Sequence, residues 1–412
     1  MKTYADILLH LPADATLRGY FAKQGLDVPP DFKWNDDTIT SHRLIELIAE
    51  YPDSAVRDKV IAGLKVSAQL DSPKGREIMQ QVCAFDAVVL VELIGCQSEL
   101  HRAFWLSVHH PKLFEAAAEN EYLESHIQQA QQHELDTHEN VHRDQLSINA
   151  FGAAIKAFYK NELGCGEACV VNILDRAKGT QLISVHAKDL AALKLEFEGE
   201  TLTRRVGSPN IHMVLEYSSA TGVARTIIRG GAKYHDMLAH SFAEHLLGVK
   251  INPKRIKLPT LDLSALRLGF QVPEAMEDGF VSLQVKSLTL MSPGATLKTE
   301  FTAMASSDHP CVTDLIAESF PNDNPLAKQW LVSAAKINLE YAPAQGKQRG
   351  KVITVEVTRR GRLNLHKYDD KLRAQLEGYL VQIGVMSPSQ TLAIDIEEPP
   401  TAEAETEELV EQ

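Results

Sequence analysis

Leu215-Glu216-Tyr217-Ser218-Ser219-Ala220-Thr221-Gly222 recurs later in the chain as Leu339-Glu340-Tyr341-Ala342-Pro343-Ala344-Gln345-Gly346. Each copy precedes a β-rich run and then a similar helix start, Lys233-Tyr234-His235-Asp236-Met237-Leu238 or Lys367-Tyr368-Asp369-Asp370-Lys371-Leu372. The matching order of segments predicts that one α+β unit is duplicated in tandem. By analogy with other duplicated folds, we expect the two copies to be related by pseudo-two-fold symmetry.

Each predicted repeat has the order β-hairpin, β-hairpin, α-helix. In the first repeat, residues 170–174 and 182–185 are predicted to form the first hairpin, because β-rich runs flank a turn sequence. Residues 285–290 and 297–301 are the counterpart in the second repeat. The Leu-Glu-Tyr strand and a returning strand then form the second hairpin of each copy.

The chain has 412 residues, more than one domain usually contains. The first 125 residues carry apolar side chains three to four positions apart, as in Val56, Val60 and Leu64, which predicts an all-α bundle. We predict a helical interaction domain at 1–125, a polar His/Gln-rich linker at 126–146, a first α+β repeat at 147–250, a connector at 251–278, a second repeat at 279–387 and an acidic, disordered tail at 388–412.

Charge is distributed unevenly along the chain, whose formal net charge is -13. Residues 1–150 carry 13 Lys and Arg against 23 Asp and Glu, and residues 390–412 carry 8 acidic residues and no Lys or Arg. The duplicated region between them is therefore mildly basic. A basic surface between two acidic segments favours a partner with negative charge.

Cysteine usage and hydropathy bear on the compartment. The five cysteines are odd in number and show no paired spacing, which is typical of reduced thiols in a cytoplasmic protein. The longest apolar run, around 87–94, contains Glu92 and is far shorter than the roughly 20 residues that a membrane span needs. We therefore expect a cytoplasmic protein with no membrane contact.

Basic residues are concentrated in the returning strands and their flanks. The proposed nucleic-acid or partner-binding residues are Arg225, Arg229, Lys233, Arg255, Lys347, Arg349, Lys351, Arg359, Arg360 and Arg362. If the two repeats face each other, these side chains could form one positive band along a phosphate backbone. The alternative is that Lys and Arg protect ordinary strand edges from pairing with other chains.

His138-Glu139-Asn140-Val141-His142 resembles the H-E-x-x-H motif of zinc peptidases. Histidines four apart share one face of a helix and could bind zinc, while the intervening glutamate activates water. Glu162 follows at a spacing similar to that of the third ligand in thermolysin-like peptidases. The resemblance implies His138, His142 and Glu162 as zinc ligands and Glu139 as the general base. The flanking residues are polar, however, which is typical of a solvated His-rich linker.

The sequence therefore favours a cytoplasmic binding protein without catalytic residues or cofactor. It would engage nucleic acid or an acidic protein partner through the basic surface, and its helical domain could contact a further protein. A zinc-dependent hydrolase built on the H-E-x-x-H motif is one alternative. A small-molecule sensor with a pocket between the repeats is another.

Overall fold

The computed structural model describes residues 2–35, 37–176, 179–257, 260–268, 280–304, 311–327, 329–343 and 350–387. The chain forms two compact units: unit 1 comprises residues 1–257 and 364–373, and unit 2 comprises residues 258–363 and 374–412. Helices are concentrated in the N-terminal part, and every sheet is antiparallel. The predicted mixed α+β class with a helical N-terminal region is confirmed. The acidic tail predicted at 388–412 lies outside the described residues.

Among the described residues up to 126, eight α-helices form the first part of unit 1. They are α1 (Tyr4–Leu8), α2 (Ala15–Gln24), α3 (Thr38–Ala49), α4 (Ser54–Ser67), α5 (Pro73–Cys83), α6 (Ala87–Gly95), α7 (Glu99–His109) and α8 (Pro111–His126). Side-chain caps begin most of them; Asp53, for example, accepts from the first amides of α4, and Ser72 accepts from the amide of Gly75 in α5. Each cap satisfies backbone donors that have no partner inside the helix.

The sheet of unit 1 follows the helical region. Its elements are β1 (Gln131–Glu134), α9 (Gln145–Leu163), β2 (Cys169–Asp175), β3 (Thr180–Lys188), β6 (Asn210–Ser218), β7 (Val223–Ile228), α10 (Ala232–Leu246) and β8 (Lys254–Ile256). The strand order is β2-β3-β6-β7-β1-β8. One face packs on α9 and α10 in a large apolar core. On the other face, Leu123 of α8 packs against Leu182 and Val214.

The segment predicted as a polar linker at 126–146 contains a strand of this sheet. β1 pairs with β7 on one side and with β8 on the other, and the side chain of His133 is fully buried. The sequence Gln-Gln-His-Glu has no apolar alternation to indicate a strand. Backbone amides and carbonyls can nevertheless pair at an open sheet edge whatever the side chains are.

A separate two-stranded hairpin lies between β3 and β6. It consists of β4 (Ala192–Glu198) and β5 (Thr201–Gly207), which pair with each other and with no other strand that the structure describes. Its apolar side chains are exposed, among them Leu193, Phe197 and Val206.

Unit 2 contains a four-stranded sheet and flanking helices. Its elements are α11 (Ala265–Leu268), β9 (Phe280–Met291), β10 (Lys298–Thr302), α12 (Val312–Ser319), β11 (Leu331–Tyr341), β12 (Val352–Thr358) and α13 (Asp370–Gln382), whose first residues belong to unit 1. The strand order is β10-β9-β11-β12. Residues 344–349, in the connection between β11 and β12, lie outside the described part of the chain.

The two predicted repeats agree in part. In each, the Leu-Glu-Tyr phrase ends a strand, β6 or β11, that forms a hairpin with the next strand, and a helix follows. The first hairpins differ in order. In unit 1 the second strand, β3, pairs with β6, whereas in unit 2 the first strand, β9, pairs with β11. The helix starts differ as well, since α10 includes Lys233-Tyr234 but α13 begins after Lys367-Tyr368.

Among the described residues, no helix combines the length and the apolar character that crossing a bilayer requires.

Candidate functional site

The basic residues predicted in unit 1 are mostly paired with carboxylates of the same unit. Arg225 lies 3.2 Å from Glu216, and Lys233 lies 2.7 Å from Glu162. Arg255 donates two hydrogen bonds to Asp236. These pairs neutralise much of the positive charge that the sequence suggested for this region. Arg229 is exposed and forms no ion pair with the described residues.

Glu216 of the repeated phrase belongs to a buried ion-pair network. It contacts Arg176, which also lies 2.7 Å from Glu124 of α8. Burial alone would lower the pKa of Arg176, but the carboxylates of Glu216 and Glu124 more than reverse this effect and raise it. A buried guanidinium needs such partners because an uncompensated charge in the interior is costly. The network therefore holds α8 against the sheet.

In unit 2, three arginines lie on one tight turn after β12. The amide of Gly361 donates to Thr358 O at 3.0 Å, and the amide of Thr358 donates to Arg362 O at 3.0 Å. Gly361 has φ +81, the left-handed conformation that glycine adopts without steric cost. The turn exposes Arg359, Arg360 and Arg362, which we call the arginine turn.

No described carboxylate forms an ion pair with any of these three arginines. Hydrogen bonds from Ser264 are the main cause that lowers the pKa of Asp262. Burial opposes this effect, and the charge of Arg359 adds to it. Lys351 is exposed at the opposite end of β12, about 20 Å away by the rise of a seven-residue strand. Lys347 and Arg349 lie outside the described residues. Of the described basic residues predicted in unit 2, Arg359, Arg360 and Arg362 thus lie together, and Lys351 lies apart from them.

The H-E-x-x-H segment does not form a helix in the structure. Residues 138–142 lie in an extended connection between β1 and α9. His138 Nδ1 lies 2.7 Å from Ser219 O, and Glu162 pairs with Lys233. In the part of the chain that the structure describes, His138, His142 and Glu162 do not come together as a group that could hold a metal ion.

A different cluster brings metal-binding side chains together. His186 on β3 and His212 on β6 are directly opposite each other in the sheet, and Glu119 reaches them from α8. Strand alternation places His186 on the same sheet face as Leu182, and His212 on the same face as Val214. This is the face that α8 covers, so the fold directs all three polar groups to one place.

The Glu119 carboxylate joins the two imidazoles. Its Oε2 accepts from His212 Nε2 at 2.8 Å, and its Oε1 accepts from His186 Nε2 at 3.1 Å. Burial alone would raise the pKa of Glu119, but hydrogen bonds from His186 and His212 lower it to about 2. The hydrogen bond to Glu119 in turn raises the pKa of His186, against the effect of burial. The described cluster therefore contains an ionised carboxylate at neutral pH.

Ser184 lies beside this cluster but cannot form a catalytic relay with it. Its Oγ is 3.2 Å from His186 Nε2 and 3.4 Å from His212 Nε2. A serine relay needs the hydroxyl on one ring nitrogen and the carboxylate on the other. Here Ser184 and Glu119 both approach Nε2. The arrangement therefore suits ion binding better than nucleophilic catalysis.

Our sequence reasoning missed Glu119, His186 and His212. The available signal was polar residues an even number of positions apart, Ser184 and His186 on one strand and His212 and Glu216 on another. Alternation places each pair on one sheet face. Pairing His186 with His212 also requires β3 and β6 to be neighbours, although the β4–β5 hairpin separates them in sequence. That information comes from the fold.

An apolar groove lies within unit 2, between β10 and α12. Its volume is about 350 Å³, and its lining includes Phe301, Met304, Ile316 and Phe320. The described lining offers only Thr302 and Ser319 as polar side chains. Small-molecule sites usually place several polar groups in such a cavity to fix orientation. The groove therefore gives no chemical indication of a ligand.

No protein-family model matches the chain, and the comparison with curated proteins gives no match.

Proposed function

We propose that this chain is a non-enzymatic binding protein that docks on nucleic acid through the arginine turn. The observation that carries the proposal is the exposure of Arg359, Arg360 and Arg362 on one rigid turn, without a described carboxylate partner. Arginine forks bind phosphate oxygens in pairs, so a turn with three of them suits a phosphate backbone. Lys351 lies too far along β12 to act at the same phosphate.

The paired basic residues of unit 1 sharpen the proposal. Arg225, Lys233 and Arg255 each lie against a carboxylate, so phosphate contact there would have to break an existing ion pair. Exposed Arg229 is the remaining cation of that set. Binding should therefore depend on the arginine turn far more than on Arg225 or Arg255.

Charge reversal tests this proposal. We expect Arg359→Glu with Arg360→Glu to reduce affinity for a fluorescein-labelled DNA or RNA duplex at least tenfold, measured by anisotropy at low salt. The slope of log affinity against log salt should fall by about 2, since each phosphate contact contributes about one unit. Lys194→Glu with Arg204→Glu, on the exposed β4–β5 hairpin, makes the same charge change elsewhere and should have little effect.

Two outcomes would contradict the nucleic-acid proposal. One is equal loss of affinity in both double variants, which would indicate a net-charge effect without a site. The other is the absence of salt-sensitive binding to DNA or RNA by the wild-type protein. In that case the ligand of the arginine turn would be an acidic protein, which is the second class of partner that the charge pattern favours.

We also propose that the Leu-Glu-Tyr hairpin and the helix that follows it arose by tandem duplication. Its support is the position of the repeated phrase on β6 and β11, where Leu215 and Leu339 are both buried. Related sequences would test the duplication: retention of Leu-Glu-Tyr at both places supports it, and unrelated residues at 339–341 in every relative would remove it.

We further propose that the protein works in a reducing compartment such as the cytoplasm. The support is that the five cysteines of the chain are unpaired thiols.

We also propose that the helical region binds a protein partner. Helix α6 turns Val88, Val91 and Ile94 outward, and Phe85 just before it is also exposed. Val88→Asp with Val91→Asp should abolish self-association seen by sedimentation velocity if a second copy is the partner. A wild-type chain that stays monomeric at all concentrations would exclude that copy.

A further inference from the structure

The cluster of Glu119, His186 and His212 has no part in the function proposed for the arginine turn. Two imidazoles and one carboxylate are the donor set of many three-ligand zinc sites, where water or substrate takes the remaining position. One ligand atom from each residue lies within 4.8 Å of the other two. Among the described residues, this is the one group of three or more such side chains that meets that distance.

The spacing of the donor atoms is compatible with a common ion. Ligand bonds to zinc are about 2.0–2.2 Å long, so two donors of one tetrahedral ion lie about 3.4 Å apart. The Glu119 oxygens lie 2.8 and 3.1 Å from the two Nε2 atoms. Metal binding would move the Nε2 protons to Nδ1 or to solvent. Small side-chain rotations would then replace the two hydrogen bonds with coordinate bonds to one ion.

The two histidine rings show which rotation is needed. Their centroids are 4.4 Å apart and their planes differ by only 6°. Parallel rings direct their two Nε2 atoms side by side, so binding one ion requires the rings to tilt toward each other after the Nε2 protons have left. The Tyr122 ring, 4.2 Å from His212, limits the space on one side. The cross-strand position of the histidines fixes their backbone separation while the side chains tilt.

An ion can reach the cluster from solvent. The side chains of Glu119 and His212 are each 18% exposed, and that of His186 is 29% exposed. Partial exposure gives access to solvent, while the packing of α8 on the sheet holds the ligands in place. Unlike an exposed pair on one helix, the three ligands come from three separate elements.

We propose that Glu119, His186 and His212 bind one divalent transition-metal ion of the zinc class. The imidazoles favour such an ion over magnesium or calcium, which prefer oxygen ligands. The proposed site connects α8 to β3 and β6 and is independent of the arginine turn. It also replaces the zinc ligands His138, His142 and Glu162 that the sequence motif suggested.

A competition titration tests the site directly. Full-length protein stripped with a chelator is titrated with Zn²⁺ at neutral pH in the presence of a chromophoric competitor. We expect one tight site per chain, and each of Glu119→Gln, His186→Gln and His212→Gln should weaken its affinity at least about tenfold. Circular dichroism checks that the variants are folded.

Two matched controls separate this site from other histidines. His240 forms a similar pair with Glu244, at 3.9 Å, on the surface of α10. His240→Gln should keep the tight site, and so should the double variant His138→Gln with His142→Gln. If the double variant loses the ion while His186→Gln keeps it, the proposal is wrong. Equal affinity in the wild type and all variants would overturn it as well.

A measurement on the wild type covers the case in which a variant fails to fold. Added Co²⁺ should broaden or shift the NMR signals of two histidine rings at one equivalent, because the ion is paramagnetic. Assignment of these rings to His186 and His212 supports the site. The His126 ring stacks on Tyr122, which contacts His212, so a weaker effect on His126 is expected as well. Perturbation of other histidines without His186 and His212, or of none, would refute the site.

Discussion

The two Leu-Glu-Tyr hairpins contain the same tripeptide in different surroundings. Leu215 and Leu339 are both buried. Glu216 is enclosed by the buried network with Arg176, whereas Glu340 is half-buried and accepts a hydrogen bond from Ser282 at 2.9 Å. The comparison shows that the apolar residue has one role in both hairpins, while the role of the charged residue depends on what covers the sheet.

The tyrosines differ in the same way. Tyr217 is fully buried, and its hydroxyl donates to Thr137 O at 3.2 Å and to Glu139 O at 3.0 Å. It therefore holds the H-E-x-x-H segment against the sheet. Tyr341 is half-buried and packs edge-on against Phe280 at 5.9 Å. Because other segments cover the first hairpin, Glu216 and Tyr217 form buried contacts there.

The largest expected effect is shared by both hairpins. Leu215→Ala and Leu339→Ala should each lower the free energy of unfolding by about 3 kcal/mol, because each leaves a cavity in a packed core. Hydrogen exchange followed by mass spectrometry should show faster exchange in β6–β7 for the first variant and in β11–β12 for the second. If only one of the two variants loses stability, the two leucines do not have the same role.

A smaller and unequal effect is expected for the glutamates. Glu216→Gln should lower the free energy of unfolding by about 2 kcal/mol, because Arg176 then keeps only Glu124 as a charged partner in the interior. Glu340→Gln should cost less than about 1 kcal/mol, since the Gln side chain keeps an oxygen that can accept the partly buried hydrogen bond from Ser282. Urea unfolding of the two variants measures the difference. Equal losses would show that the helical covering does not distinguish the hairpins.

Acid sensitivity should be a property of the first hairpin. His235 Nδ1 lies 2.8 Å from Thr226 Oγ1 of β7, and His133, Asp236 and Arg255 are its titratable neighbours. Burial, followed by the charge of His133, lowers the pKa of His235 to about 4. The unfolded chain therefore takes up this proton first, and stability is complete above pH 6.5 and falls as the pH drops toward 4.

His235 is expected to contribute a loss of about 1 kcal/mol between pH 7 and pH 5.5, from the linkage between protonation and folding, and the raised pKa of His186 opposes this loss. Urea unfolding at the two pH values measures it, and His235→Asn should reduce the pH dependence. β11 and β12 contain no histidine, so exchange in that hairpin should respond less. An equal or larger loss of stability over this range in His235→Asn would contradict the sign.

Several features followed from the sequence alone. Apolar stripes such as Val56, Val60 and Leu64 depend on neighbours about one turn away, so residues 1–125 could be predicted as helical. The Arg359-Arg360-Gly361-Arg362 turn also appears in the sequence as a basic run interrupted by glycine. Local chemistry determines such features because their causes lie a few residues apart.

Tertiary structure decided which of these residues work together. The sequence shows Arg225, Lys233 and Arg255 as free cations, but the fold places a carboxylate against each one. It separates His138, His142 and Glu162, which share a familiar motif, and joins Glu119, His186 and His212, which share none. Sequence spacing fixes contacts along one helix or strand, whereas pairing between α8, β3 and β6 depends on how apolar faces are buried across the whole unit.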